Sequence, residues 1–186
     1  MRYFRLLDDV HVPKRWHLGE VTVADGTPQE YDNIRADGTL SVEITDAGRA
    51  LDFCLTSFAI PVATNAVGER IAAVAGDDLQ RFAVNVRGPW SNLDKAHFEV
   101  LSASRAITCL DERRSEFMKW TESDHRPDLA GAYQMVTELY VDAACIPSSA
   151  HLFRIKGWEI ALIVSESVKA AIEEGPSEGA VFIKVT

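Results

Sequence analysis

Between Asp111 and Arg126 the chain concentrates the side chains best suited to chemistry: Asp111-Glu112-Arg113-Arg114-Ser115-Glu116, then Trp120, then Glu122-Ser123-Asp124-His125-Arg126. Carboxylates and imidazoles move protons and hold metal ions, so a cleft gathering Glu112, Glu116, Asp124 and His125 could support hydrolysis. The spacing argues against it. The segment contains no HExxH, no DxDxDG loop, no GxSxG elbow and no GxxxxGK[ST], and so supplies neither a ligand pair on one helical turn, nor an activated serine, nor a loop that cradles phosphate. Arg113 and Arg114 beside the acids read more simply as ion-pair partners on a solvated surface.

A binding surface uses the same residues more economically. Large amphipathic aromatics are enriched at binding hot spots, although they also close the rims of ordinary cores. Of Trp16, Trp90, Trp120 and Trp158, Trp120 is the best candidate for an interface because charges of both signs surround it. The candidate partner-binding set is therefore Glu112, Arg113, Glu116, Trp120, Glu122, Asp124 and His125. The competing structural reading makes Asp111, Arg113 and Arg114 an internal ion-pair network that braces the fold.

The remaining reactive side chains are scattered. His11, His17, His97 and His151 make no i, i+4 pair with another ligand-type residue on an expected helix. Ser57 and Ser115 lack the GxSxG setting of an activated serine. Cys54, Cys109 and Cys145 are odd in number, widely spaced and without a CxxC pair, which excludes a disulfide framework and a zinc site and leaves them as buried thiols. No metal and no organic cofactor is expected.

The formal net charge is -9, from 19 basic and 28 acidic residues, which removes nucleic acid from the partner classes because phosphate binding needs clustered positive charge. It favours a basic partner, or serves solubility alone. With 47% hydrophobic and 25% charged residues in 186, the composition is globular, one core or two closely docked subdomains. No apolar run approaches the roughly 18 residues of a membrane crossing, and acids stand where a signal peptide would be apolar, so the expected location is the cytoplasm.

The elements that would position these residues are mostly strands. Tyr3 to Leu7 reads as a strand, and residues 8 to 50 are punctuated by turns, with a hairpin at Asp37-Gly38. After Thr64 as N-cap, Val67, Ile71 and Val74 fall on one helical face until Gly76, and Leu79 to Val86 follows as a strand. Gly68 inside that helix implies either a closely packed neighbour or a later start. Ile160 to Val164, Ser165 as cap, Val168, Ala171 and Ile172, Gly175, and Ala180 to Val185 repeat the order. Phe98 and Val100 suggest a strand that resumes at Ile107 and Cys109 after a bend. Tyr133, Met135, Thr137, Leu139 and Val141 are expected on one face of another, and Lys156-Gly157-Trp158 turns a hairpin. The fold class is α+β, a mostly antiparallel sheet with two strand-helix-strand units, divided into a turn-rich β subdomain at 1–59 and an α+β core at 60–186.

Cys109-Leu110-Asp111-Glu112-Arg113-Arg114-Ser115-Glu116-Phe117, followed in order by Arg126-Pro127-Asp128, Phe153-Arg154-Ile155-Lys156-Gly157-Trp158 and Leu162-Ile163-Val164-Ser165-Glu166, resembles a family of bacterial immunity proteins of polymorphic and contact-delivered toxin systems. The likeness runs through residues 60–186 and touches Arg2-Tyr3-Phe4-Arg5-Leu6 and Trp16-His17-Leu18-Gly19. It implies a protein that binds and neutralises a cognate toxin, and it supplies no catalytic residue. Two other readings stay open: a small hydrolase using the Glu112 to His125 region, and a self-associating adaptor of a secretion system. A homodimer is compatible with each.

Overall fold

The computed structural model describes residues 1–31, 34, 38–88 and 97–186. Asp37 of the hairpin expected at Asp37-Gly38, and Trp90, lie outside the described residues. In chain order the strands are β1 (Tyr3–Asp8), β2 (His17–Thr22), β3 (Leu40–Asp46), β4 (Phe53–Leu55), β5 (Pro61–Thr64), β6 (Leu79–Arg87), β7 (Phe98–Ala103), β8 (Ala106–Ile107), β9 (Glu116–Lys119), β10 (Tyr133–Glu138), β11 (Leu152–Ile155), β12 (Trp158–Ser165) and β13 (Ala180–Lys184). Helix α1 (Asn65–Ala75) joins β5 to β6, and α2 (Glu166–Glu173) joins β12 to β13.

The strands form a six-stranded sheet in the order β2-β3-β6-β7-β5-β4, a five-stranded sheet in the order β13-β1-β12-β11-β8, and a separate ribbon of β9 and β10. Pairing is antiparallel except for β3 with β6 and β8 with β11. This is the α+β, mostly antiparallel arrangement the sequence implies. Both large sheets draw strands from residues 1–59 and from the rest of the chain.

The two strand-helix-strand units share one topology. β5 and β6 both pair antiparallel with β7, which lies between them; β12 and β13 both pair antiparallel with β1 in the same way. Each unit is preceded by a hairpin partner, β4 for β5 and β11 for β12. In the first unit the inserted strand follows in sequence, and in the second it is the first strand of the chain.

Each helix forms for reasons visible in its residues. In α1, Val67, Ile71 and Ala75 recur at helical spacing and are buried, and Gly76 ends the helix at φ 50°, its N–H bonded to the Ala72 carbonyl. Thr64 sits at the N-cap position without a side-chain cap bond. In α2 the Ser165 hydroxyl does accept the Val168 N–H, at 3.3 Å, and Val168, Ala171 and Ile172 are buried. Val67, Ile71, Val168 and Ile172 join Leu6, Phe53, Leu101 and Leu162 in one apolar cluster, so helices and both sheets share a core. The far face of the six-stranded sheet buries Trp16, Leu40, Val42 and Val100, and the far face of the five-stranded sheet packs Tyr3, Phe153 and Ile163 against Cys109, Val141 and Ile146.

Three expectations are corrected. The bend at 102–105 is not a kink in one strand: β7 belongs to the six-stranded sheet and β8 to the five-stranded one, so the chain changes sheets at Ser104 and Arg105. Tyr133, Met135, Thr137, Leu139 and Val141 do not share a strand face, because β10 ends at Glu138 and its register shifts at Gln134 and Thr137. An extra residue reverses the facing of everything after it. The cysteines are not all buried: Cys54 and Cys109 are, and Cys145 is exposed.

Candidate functional site

The segment singled out for its charges folds into the ribbon and its connecting loop. Its base is tied to the far face of the five-stranded sheet. Asp111 N donates to the Tyr140 carbonyl at 2.9 Å, Asp142 N to the Cys109 carbonyl at 2.8 Å, and Val141 N to the Val185 carbonyl at 2.8 Å. Ser115 bridges the same place, its hydroxyl accepting the Tyr140 N–H at 3.0 Å and meeting the Tyr140 carbonyl at 3.1 Å. Leu110, Leu139 and the buried Val141 pack into the sheet, which fixes where the ribbon leaves it.

The inner face of the ribbon is a closed network. Phe117 and Tyr133 meet edge to face at 5.3 Å, and the Lys119 ammonium lies 4.9 Å from the Tyr133 ring centroid. Glu112 accepts from Lys119 Nζ at 2.6 Å and from the Tyr133 hydroxyl at 2.5 Å. The lysine first, then the tyrosine, holds the Glu112 carboxyl below its usual range. Burial, then the Glu112 carboxylate, pushes the Tyr133 hydroxyl up.

The outer face is open. Alternation along β9 places Glu116 and Met118 on it, and the row continues to Trp120, whose N–H donates to the Ala132 carbonyl while its own carbonyl accepts the Gly131 N–H, both at 2.9 Å. Across the ribbon Met135 pairs with Met118, and Glu138 pairs with Glu116. Met118 is 51% and Met135 47% exposed. At the tip the Trp120 and His125 rings meet edge to face at 5.0 Å. Asp124 holds the loop, accepting the Thr121 N–H at 2.6 Å and its hydroxyl at 2.8 Å, and these bonds, backbone first, keep its carboxyl below the usual range.

The predicted residues therefore divide. Glu116 and Trp120 share the outer face, His125 stacks on Trp120, and Glu122 is exposed in the connecting loop. Glu112 lies on the opposite face, Asp124 is a brace, and the exposed Arg113 contributes its backbone N–H to the Asp111 carboxylate at 3.1 Å. Asp111 and Arg114 approach to 4.0 Å, with Arg114 over the Tyr140 ring. Met118, Met135 and Glu138 belong to the face and were not singled out in the sequence; period-two alternation from Glu116 to Trp120 was the available signal for Met118, and the bulged β10 offered none for Met135 and Glu138. The carboxylates and imidazole that a hydrolase would need are thus separated. Among the described residues no three His, Cys, Asp or Glu side chains are grouped to hold a metal ion.

Two features elsewhere bear on chemistry. Gly175-Pro176-Ser177-Glu178-Gly179 has the GxSxG spacing. It follows helix α2 and precedes strand β13, the reverse of the strand-to-helix order that exposes a nucleophilic serine. A cavity of about 350 Å³ is lined by Asp8, Arg15, His17, Asp46, Thr56 and Ser57 among others, none of them from the ribbon. Arg15 at its edge is buried and bonded to the Asp8 carboxylate and to the carbonyls of Asp9 and Trp16.

The sequence pattern of the immunity protein family (Imm11) matches residues 14–186, nearly the whole chain. The chain belongs to that family. Comparison with curated proteins gives no match. As an immunity protein it has a toxin partner in general terms, and the ribbon carries exposed Met118 and Met135 beside Trp120 and the acids Glu116 and Glu138. Among the described residues no helix is long and apolar enough to cross a membrane.

Proposed function

We propose that this immunity protein acts in the cytoplasm, without catalysis, by binding one cognate bacterial toxin and occluding its active site or substrate path through the ribbon. The supporting observation is the row formed by exposed Glu116 and Met118 and half-buried Trp120, with Met135 and Glu138 facing it. Monomeric proteins rarely leave paired large apolar side chains open on a sheet face, and apolar residues ringed by charge mark interaction surfaces. A toxin that acts on phosphates is basic in its cleft, and Glu116, Glu122 and Glu138 complement that charge and speed association. Trp120 supplies the anchor, worth about 2 kcal/mol or more on truncation if it is a hot spot.

Co-expression with the neighbouring gene product, followed by co-purification and a protection assay in cells, tests this reading. Two variants locate the face: Trp120→Ala, and Glu116→Lys combined with Glu122→Lys, positions that leave the Asp124 brace intact. Both are expected to keep the wild-type melting temperature and lose protection. If both still protect at unchanged affinity, the contact lies elsewhere on the molecule.

A further inference from the structure

We infer that the outer face of the ribbon receives a basic segment of the toxin, with a lysine or arginine seated between Glu116 and Glu138 and a neighbouring apolar side chain lying on Met118 and Met135. This rests on the toxin-binding reading above.

The argument starts from register. Glu116 and Glu138 are directly paired across the ribbon, an arrangement of like charges that destabilises a sheet. It arises because the register shift at Thr137 brings Glu138, rather than Thr137, opposite Glu116. Of the neighbouring cations, Lys119 pairs with Glu112 on the inner face, Arg114 lies over Tyr140 and Arg126 pairs with Asp128, while the exposed Arg113 forms no ion pair among the described residues. Among the described residues no ion pair neutralises Glu116 or Glu138. One residue along the same face, the Met118–Met135 pair is apolar and exposed, and methionine adapts its shape to the group laid on it. Trp120, stacked on His125, bounds the row at the tip.

These features select one occupant. A second copy would add its own acids to this face, and a protein of net charge -9 has little to offset that repulsion. An acidic or purely apolar partner dries the two paired glutamates without supplying a cation, which costs more than leaving them in water. A single cation answers both carboxylates at once, and the apolar contact beside it excludes water from the pair.

The test uses Glu116→Gln with Glu138→Gln, and separately Met118→Ser with Met135→Ser, in the full chain, with the toxin from the neighbouring gene inactivated at its active site as probe. For the glutamine variant the free protein is expected to melt at the wild-type temperature or slightly higher, while affinity for the toxin falls tenfold or more and the dependence of Kd on salt becomes shallower. The serine variant is expected to lose affinity with the salt dependence unchanged. If the wild type binds the toxin and the glutamine variant binds it with the same affinity and salt slope, this inference is overturned and toxin binding stands. If the wild type does not bind, both fall. A glutamine variant that melts several degrees lower identifies the acids as structural braces and overturns the inference. So does a wild-type dimer in sedimentation that the serine variant dissociates, since the occupant is then a second copy.

Discussion

The carboxylate of Asp78, in the turn between α1 and β6, accepts the backbone N–H of His151 at the start of β11, 2.6 Å away. That bond crosses from one large sheet to the other. The same carboxylate takes the Leu152 N–H at 3.4 Å and pairs with Arg105, which lies where the chain changes sheets. The Asp78 backbone carbonyl accepts the Ser104 N–H at 2.8 Å. A side chain only 2% exposed is thus satisfied by three groups from two segments, which keeps a buried charge tolerable.

Replacing Asp78 by Ala leaves the His151 N–H buried and Arg105 without its partner. The expected loss is about 3 kcal/mol. Asp78→Asn retains one acceptor and is expected to lose less. Urea unfolding measures both; a loss for the alanine variant no larger than that of an ordinary surface substitution means the bond does not hold the sheets together.

Gly68 is the glycine whose place inside α1 the sequence left unexplained. A Cβ there would stand 2.5 Å from Glu99 Oε2. Glu99 is not free to move aside, since it is bonded to Arg81 Nε at 2.5 Å and Nη2 at 2.7 Å. Gly68→Ala is therefore expected to destabilise the protein, although alanine in an open helix gains about 1 kcal/mol over glycine. In a Glu99→Ala background the sign should reverse. A cycle of the four proteins by thermal melting reads the coupling.

The three thiols separate by environment. Burial pushes Cys54 and Cys109 up to about 12, and Cys145 is exposed with its thiol donating to the Asp142 carboxylate, which raises it. The native protein at pH 8 is expected to present one thiol to a disulfide reagent and three after denaturation. Asp142→Asn should quicken the single reaction, because the thiolate no longer forms beside a negative charge. Two fast thiols in the folded protein contradict the burial of Cys54 or Cys109.

Acid should loosen the ribbon from its inner face. The Glu112 carboxyl is lowered by Lys119 and then Tyr133, so its folded value lies below its unfolded one. The stabilisation it provides is complete above the ordinary carboxylate range and disappears as pH falls through the lowered value. Glu112→Gln is expected to lower stability at neutral pH and to flatten the acid side of the profile, so that the two proteins converge as pH falls. Carbon-13 NMR of the Glu112 carboxyl in a Tyr133→Phe variant should show its titration moving up toward the usual range; no movement excludes the tyrosine hydroxyl as a cause.

Local signals in the sequence determined a good part of this protein. Apolar residues at helical spacing, closed by Gly76 in one case and opened by Ser165 in the other, place both helices. Gly157, at φ 86°, turns the β11–β12 hairpin where Lys156-Gly157-Trp158 indicates it. The family was legible in ordered motifs, and the charged segment with Trp120 was legible as the surface to examine. Pairing partners were not. That β1 inserts between β12 and β13, and that the chain changes sheets after β7, depends on contacts far apart in sequence, which a period of two or 3.6 does not encode. The candidate face shows the same limit. Alternation predicts which side a residue takes only while the ladder is regular, and the shifts at Gln134 and Thr137 reassign Met135 and Glu138. Composition likewise suggests a buried cysteine but not which one is left in water: Cys109 packs beneath the five-stranded sheet, and Cys145, held in a short turn beside Asp142, faces solvent.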